Sequence, residues 1–147
     1  PARIMAAMNE ELRALDTGKH LTVFCGVIDV NVQTLTYAVG AHYPPPILCN
    51  GSDVIQLAGA GLPLGLFPGA KYEEHVVALQ QRFSLVAASD GILEILPASD
   101  LVAKEALLRE EVAAADGQLD VLVERLGLPL VRDVPDDIAL LMIQRDE

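Results

Sequence analysis

The chain has 147 residues, 52% of them hydrophobic, which is enough for one domain with a real core and argues against disorder. Ten basic against 21 acidic residues give a net charge of −11, and no Lys/Arg stripe occurs, so nucleic acid and anionic membrane surfaces are poor partners. No apolar run approaches the roughly 20 residues that span a bilayer, and "PARIMAAMNEELRAL" resembles neither a cleavable signal nor an anchor, so a soluble, cytoplasmic protein is expected.

Residues 2–15 place Ile4, Met8 and Leu12 at helical spacing, with Met5 and Leu15 alongside, which predicts a helix ending near Asp16-Thr17-Gly18. "LTVFCGVIDV" and "QTLTYAV" read as two strands of a hairpin, the second alternating Leu35, Tyr37 and Val39 with polar or small residues. After the loop "GAHYPPP", the segment "ILCNGSDVIQL" predicts another hairpin, with Asn50-Gly51 suited to a tight I′ turn. "AGAGLPLGLFPGAKY" has too many Gly and Pro residues for regular structure and is expected to run over the surface. Cys25 and Cys49 lie in strand-like runs without CxxC spacing, so both are read as reduced core residues.

"EEHVVALQQ" and "FSLVAAS" predict two more strands. From Ser99 the pattern turns helical: "DLVAKEALLREEVAAA", with Ser99 or Asp100 as N-cap, is followed by "GQLDVLVERLG", closed by Gly127. "VPDDIALLMIQ" sets Pro135, Asp136 and Asp137 before the apolar run Ile138 to Ile143, a last buried strand. The order is helix, several antiparallel strands, two helices and a strand. It predicts an α+β fold of antiparallel sheets flanked by helices, in a single domain.

Asp90 ends one buried strand in "FSLVAASDGILEIL", and Asp136 begins another. Alone, Asp90-Gly91 reads as an ordinary turn, and strand-end acids are usually just solvated. If the two strands pair antiparallel, however, Asp90 and Asp136 converge at one rim. Hard oxygen donors without a Cys or His cluster would then favour Mg²⁺ or Mn²⁺.

Four segments, "SDGILE", "PDDIALLMI", "GAHYPPPIL" and "GLPLGL", resemble the "TDGhxE", "DDhThhhh", "AGHxPPhh" and "G-x-PLG" signatures of the bacterial PPM-type serine phosphatases of the SpoIIE/RsbU group. The similarity runs through essentially the whole chain. It is nearest to the output domain of RssB/HsbR-type response regulators, where a receiver domain lies upstream.

The resemblance implies an α-β-β-α sandwich with two Mn²⁺ or Mg²⁺ ions that polarise a phosphoryl group and activate water, with no side-chain nucleophile. It implies a phosphoserine substrate on a STAS-type anti-sigma-factor antagonist, within sigma-factor partner switching. By motif, Asp90 and Asp136 are the metal ligands and catalytic residues, with Gly91 and Asp137 beside them. Glu94 would hydrogen-bond a metal-bound water or be a surface acid; His42 would sit at the phosphate or be a loop histidine bonded to backbone.

The chain also departs from the family pattern. No "GDhhD" opening strand occurs, so the chain matches the family domain from about a third of the way in, and the fragment alone is expected to bind metal weakly, turn over slowly and self-associate across an exposed sheet edge, as a homodimer. Ser89 and Ala139 replace threonines, and "AGH" becomes Gly40-Ala41-His42. The alternative is a non-catalytic module that keeps the fold and docks the same partner.

Overall fold

The computed structural model describes residues 1–132 and 136–146. The chain divides into two compact units. One comprises Pro1–His42 and Ala58–Leu79; the other comprises the described residues of Tyr43–Leu57 and Gln80–Glu147. No helix among the described residues is long and apolar enough to cross a membrane.

The first unit holds helix α1 (Ala2–Ala14) and a three-stranded antiparallel sheet of strands β1 (Val23–Asp29), β2 (Thr34–Gly40) and β5 (His75–Ala78), ordered β1-β2-β5. The hairpin expected from the sequence is present, with Val23 opposite Gly40 and Asp29 opposite Thr34. On β2, Leu35, Tyr37 and Val39 are buried as the alternation predicts, and Ala38 is buried too because α1 packs on that side. Helix α1 corrects the expected stripe by one residue. Met5 and Asn9 face inward, whereas Ile4 (53% exposed) and Met8 face solvent.

The displacement has a polar cause. Asn9 is fully buried; its amide nitrogen donates to the Phe67 carbonyl at 2.9 Å, and its oxygen accepts from the Gly65 N–H at 2.8 Å. A buried amide hydrogen-bonded from both ends has its desolvation cost offset, so a polar residue can occupy the inward face. The segment expected to run over the surface has no regular element, yet it contributes Leu64, fully buried, to the core around Met5. Gly and Pro content reported its irregular backbone correctly but carried no information on depth.

The second unit holds a four-stranded antiparallel sheet ordered β4-β3-β6-β7: β3 (Ile47–Asn50), β4 (Asp53–Gln56), β6 (Phe83–Ala88) and β7 (Leu140–Arg145). The β3–β4 hairpin is present, but its loop is Gly51-Ser52, since Asn50 pairs with Asp53. Gly51 takes φ +65° and Ser52 does not adopt positive φ, which matches a II′ pattern rather than the I′ turn expected. Asn50 instead stays in the strand and accepts the Gln80 N–H at 2.7 Å.

Helices α2 (Gly91–Ile95), α3 (Leu101–Ala114) and α4 (Leu119–Arg125) and a 3-10 turn at Leu128–Leu130 follow β6. Their apolar residues Ile92, Leu108, Val112 and Leu122 bury against Ile47, Val86 and Ala88 from one face of the sheet. Tyr43 joins this core, and its hydroxyl donates to the Glu105 carboxylate of α3. Burial first, then the hydrogen bond and charge of Glu105, push the Tyr43 phenol up to about 12. Asp100 caps α3, and Gly127 at φ +70° follows α4, both as expected.

Two further expectations fail in this unit. Asp90-Gly91 opens a helix, α2, rather than a turn, because Asp90 is already helical at φ −62°, ψ −25°. β7 is no buried strand: it forms the sheet edge, and Leu141 and Ile143 are 58% and 41% exposed. It starts at Leu140, and Pro135 lies outside the described residues.

Candidate functional site

The β6–β7 register runs from Phe83 opposite Arg145 to Ala88 opposite Leu140, so the end of β6 abuts the approach to β7. The pairing continues past both strands. The Ser89 N–H donates to the Ala139 carbonyl at 2.9 Å, and the Ser89 hydroxyl takes the Ala139 N–H at 2.8 Å while donating to the Asp137 carbonyl at 2.9 Å. One side chain thus ties the residue before Asp90 to the residues after Asp136. Sequence reading noted Ser89 only as a threonine replacement; the hydroxyl common to both residues was the available signal.

Gly91 completes the junction. A Cβ there would lie 2.6 Å from the Asp137 carbonyl oxygen and 3.1 Å from that of Asp136, so backbone passes where any other residue would put a side chain. Asp90, Asp136 and Asp137 are all exposed at this rim. Asp90 occupies the N-cap position of α2 yet makes no capping hydrogen bond, and Asp136 accepts the Asp137 N–H at 2.8 Å. Glu94 is exposed on α2.

His42 belongs to the first unit, where its ring lies 6.3 Å from that of Phe24. It follows the inverted Gly40-Ala41 pair, and the inversion has a spatial basis. A Cβ on Gly40 would meet Leu64 at 2.5 Å and Met5 at 2.8 Å, so β2 admits only glycine there without repacking. Ala41 takes φ +55°, the left-handed conformation in which glycine is at ease and alanine is strained, and its N–H donates to the Gly61 carbonyl at 2.9 Å. His75 is half-buried and stacks on Tyr37 at 5.1 Å.

The rim carboxylates are hard donors that suit one Mg²⁺ or Mn²⁺ ion, because such an ion takes one or two carboxylates and completes its shell with water and a substrate phosphate. No group of three or more His, Cys, Asp and Glu side chains is gathered for a metal among the described residues, so the donor set found there does not extend to two ions.

A family model described as stage II sporulation protein E (SpoIIE) matches residues 1–146. No curated protein matches. Among solved structures, the chain is similar to the RsbU and RsbW domains of a Mycobacterium tuberculosis protein, at 24% identity and TM-score 0.76, covering 98% of this chain and 42% of that one. It is also similar to the phosphatase domain of the cell fate determinant SpoIIE from Bacillus subtilis, at 17% identity and TM-score 0.65, covering 100% and 68%. RsbX in complex with magnesium matches at 14% identity and TM-score 0.69, covering 96% and 64%. These likenesses establish the fold, mixed helix and antiparallel sheet of the PP2C phosphatase type.

Proposed function

This chain belongs to the SpoIIE family, and we propose that it forms part of a metal-dependent protein serine phosphatase. The observation that carries the reading is the β6–β7 junction, which puts Asp90 and Asp136 at one rim with the Asp90 carboxylate uncommitted to its own helix. Asp90 and Asp136 would hold a Mn²⁺ or Mg²⁺ ion, the latter in keeping with the magnesium complex of RsbX. When bound, such an ion supplies Lewis-acid polarisation of the phosphoryl oxygens and lowers the pKa of a nearby water.

The rest of the work falls to the chain's own residues. Ser89 fixes the approach to Asp137 and Ala139 and Gly91 lets the two chain segments close together, an arrangement from which the Asp90 and Asp136 carboxylates would meet a common ligand. Asp137 and Glu94 stand beside this pair as hydrogen-bond acceptors for water. The substrate in this reading is a phosphoserine on a STAS-type anti-sigma-factor antagonist, and an upstream receiver domain provides control.

Calorimetric titration with Mn²⁺ tests the reading, together with hydrolysis of p-nitrophenyl phosphate by this chain and by a form extended upstream of Pro1. Weak binding and slow turnover are expected of the chain, and Mn²⁺-dependent turnover of the extended form. Tight two-ion binding by the chain alone would reveal a complete centre and overturn the assignment of Asp90 and Asp136 as a partial set. A second reading, a non-catalytic module docking the same partner, draws on the absence of a three-donor group among the described residues. Metal-independent inertness of the extended form would favour it.

A further inference from the structure

Strand β7 is the outer strand of its sheet, so one side of its backbone has no strand beside it among the described residues. The bond between Ser89 and Ala139 tells which groups lie on that side. The Ser89 N–H donates to the Ala139 carbonyl, and hydrogen-bonded pairs alternate along an antiparallel ladder, so Ala139, Leu141, Ile143 and Arg145 are the residues that bond toward β6. Leu140, Met142 and Gln144 therefore turn their N–H and C=O groups outward.

The side chains follow the other alternation. Leu140 and Met142 pack against the helix-covered core, whereas Leu141 and Ile143 project from the opposite face and are exposed. The strand has no proline, no lysine and no bulge in its register, the devices that blunt an edge. Of the other sheet edges, β4 and β5 are four residues each, and β1 has Gly26 at its centre and an acid, Asp29, but no base. Only β7 carries opposite charges at its two ends: Asp136 and Asp137 precede it, and Arg145 closes it. Arg145 makes no ion pair among the described residues.

An antiparallel copy of such a strand brings opposite charges together at both ends, which a parallel copy does not. With a two-fold axis at Met142, the outward groups meet: Met142 pairs with Met142 of the second copy, and Leu140 with its Gln144. On the exposed face, Leu141 then stands opposite Ile143 of the second copy on both sides of the axis. Arg145 lies diagonally across from Asp137 of the second copy, a separation that a long side chain spans. We propose that β7 pairs in this register with β7 of a second copy, joining two four-stranded sheets and bringing a guanidinium to the segment that carries Asp136. The pairing is independent of the phosphatase reading.

Sedimentation of this chain over a range of concentrations, with amide hydrogen exchange read by NMR, tests it. A concentration-dependent dimer is expected, in which the Met142 and Gln144 amides gain protection while those of Leu141 and Ile143, bonded to β6 in either state, change little. Leu141→Lys, at an exposed position, should leave the chain folded by circular dichroism and return it to monomer. Arg145→Asp should weaken the dimer about tenfold by setting like charges across the axis twice, and Asp137→Arg in the same chain should restore it. A monomer at every concentration, a dimer that survives Leu141→Lys, or a charge exchange without rescue overturns the proposal. So does a monomeric form extended upstream of Pro1 whose Met142 amide is protected, which would assign the edge to the upstream segment.

Discussion

Asp100 has extended backbone, φ −141° and ψ 169°, and its carboxylate accepts the Ala103 N–H at 2.9 Å as an N-cap does. Asp90 stands at the same place before α2, but at φ −62° and ψ −25° its side chain makes no such bond. A capping side chain needs the non-helical backbone of the N-cap residue to reach the N–H groups ahead of it. Asp90 is denied that conformation by what precedes it, since Ser89 is still laddered to Ala139 and the chain must turn at once into the helix. The same residue type at the same helix position therefore stabilises structure in one case and leaves its carboxylate for solvent, cation or substrate in the other.

Exchanging Asp for Asn at both positions separates the two roles most sharply. Asn caps a helix about as well as Asp but contributes no charge to a cation. Asp90→Asn in the form extended upstream should lower Mn²⁺-dependent turnover by at least about 100-fold, near 2.7 kcal/mol of barrier, with an unchanged melting temperature. Turnover at wild-type rates would remove Asp90 from the mechanism.

The junction that diverts Asp90 can be broken directly. Gly91→Ala drives a methyl group to 2.6 Å from the Asp137 carbonyl, which should cost about 2 kcal/mol in urea denaturation; an unchanged midpoint would mean the two chain ends separate freely. Ser89→Ala deletes the hydroxyl shared by Asp137 and Ala139, with an expected loss of about 1.5 kcal/mol, whereas Ser89→Thr should restore both stability and turnover. Smallest is Asp100→Ala, at about 1 kcal/mol of stability with turnover intact; loss of turnover there would show that capping α3 also shapes the rim.

Much of this molecule was legible before its structure. Alternation at Leu35, Tyr37 and Val39, the hairpin at Ile47–Gln56 and the Asp100 cap are local signals, and each was realised within a residue or so. The errors have a common physical origin in tertiary packing. Asn9 displaced the buried stripe of α1 because its partners, Gly65 and Phe67, lie far along the chain. Leu64 entered a core from a loop, and β7 stayed exposed because it became an edge, a property of sheet order that its apolar run does not encode. At the site, the meeting of Asp90 with the Asp136 segment followed from matching strand ends, but the tie made by Ser89 depends on a register that only pairing defines.

The Gly40-Ala41 pair imposes an order on the chain's mutational history. Ala41→Gly relieves a left-handed alanine and is accessible at any time. A methyl group at Gly40 would meet the side-chain ends of Leu64 and Met5, both fully buried, which must shift to admit it. A lineage moving between this arrangement and the Ala-Gly order of the family signature must therefore shift the core beneath β2 as it changes that strand. The motif is bound epistatically to a helix and a loop that its own sequence window does not contain.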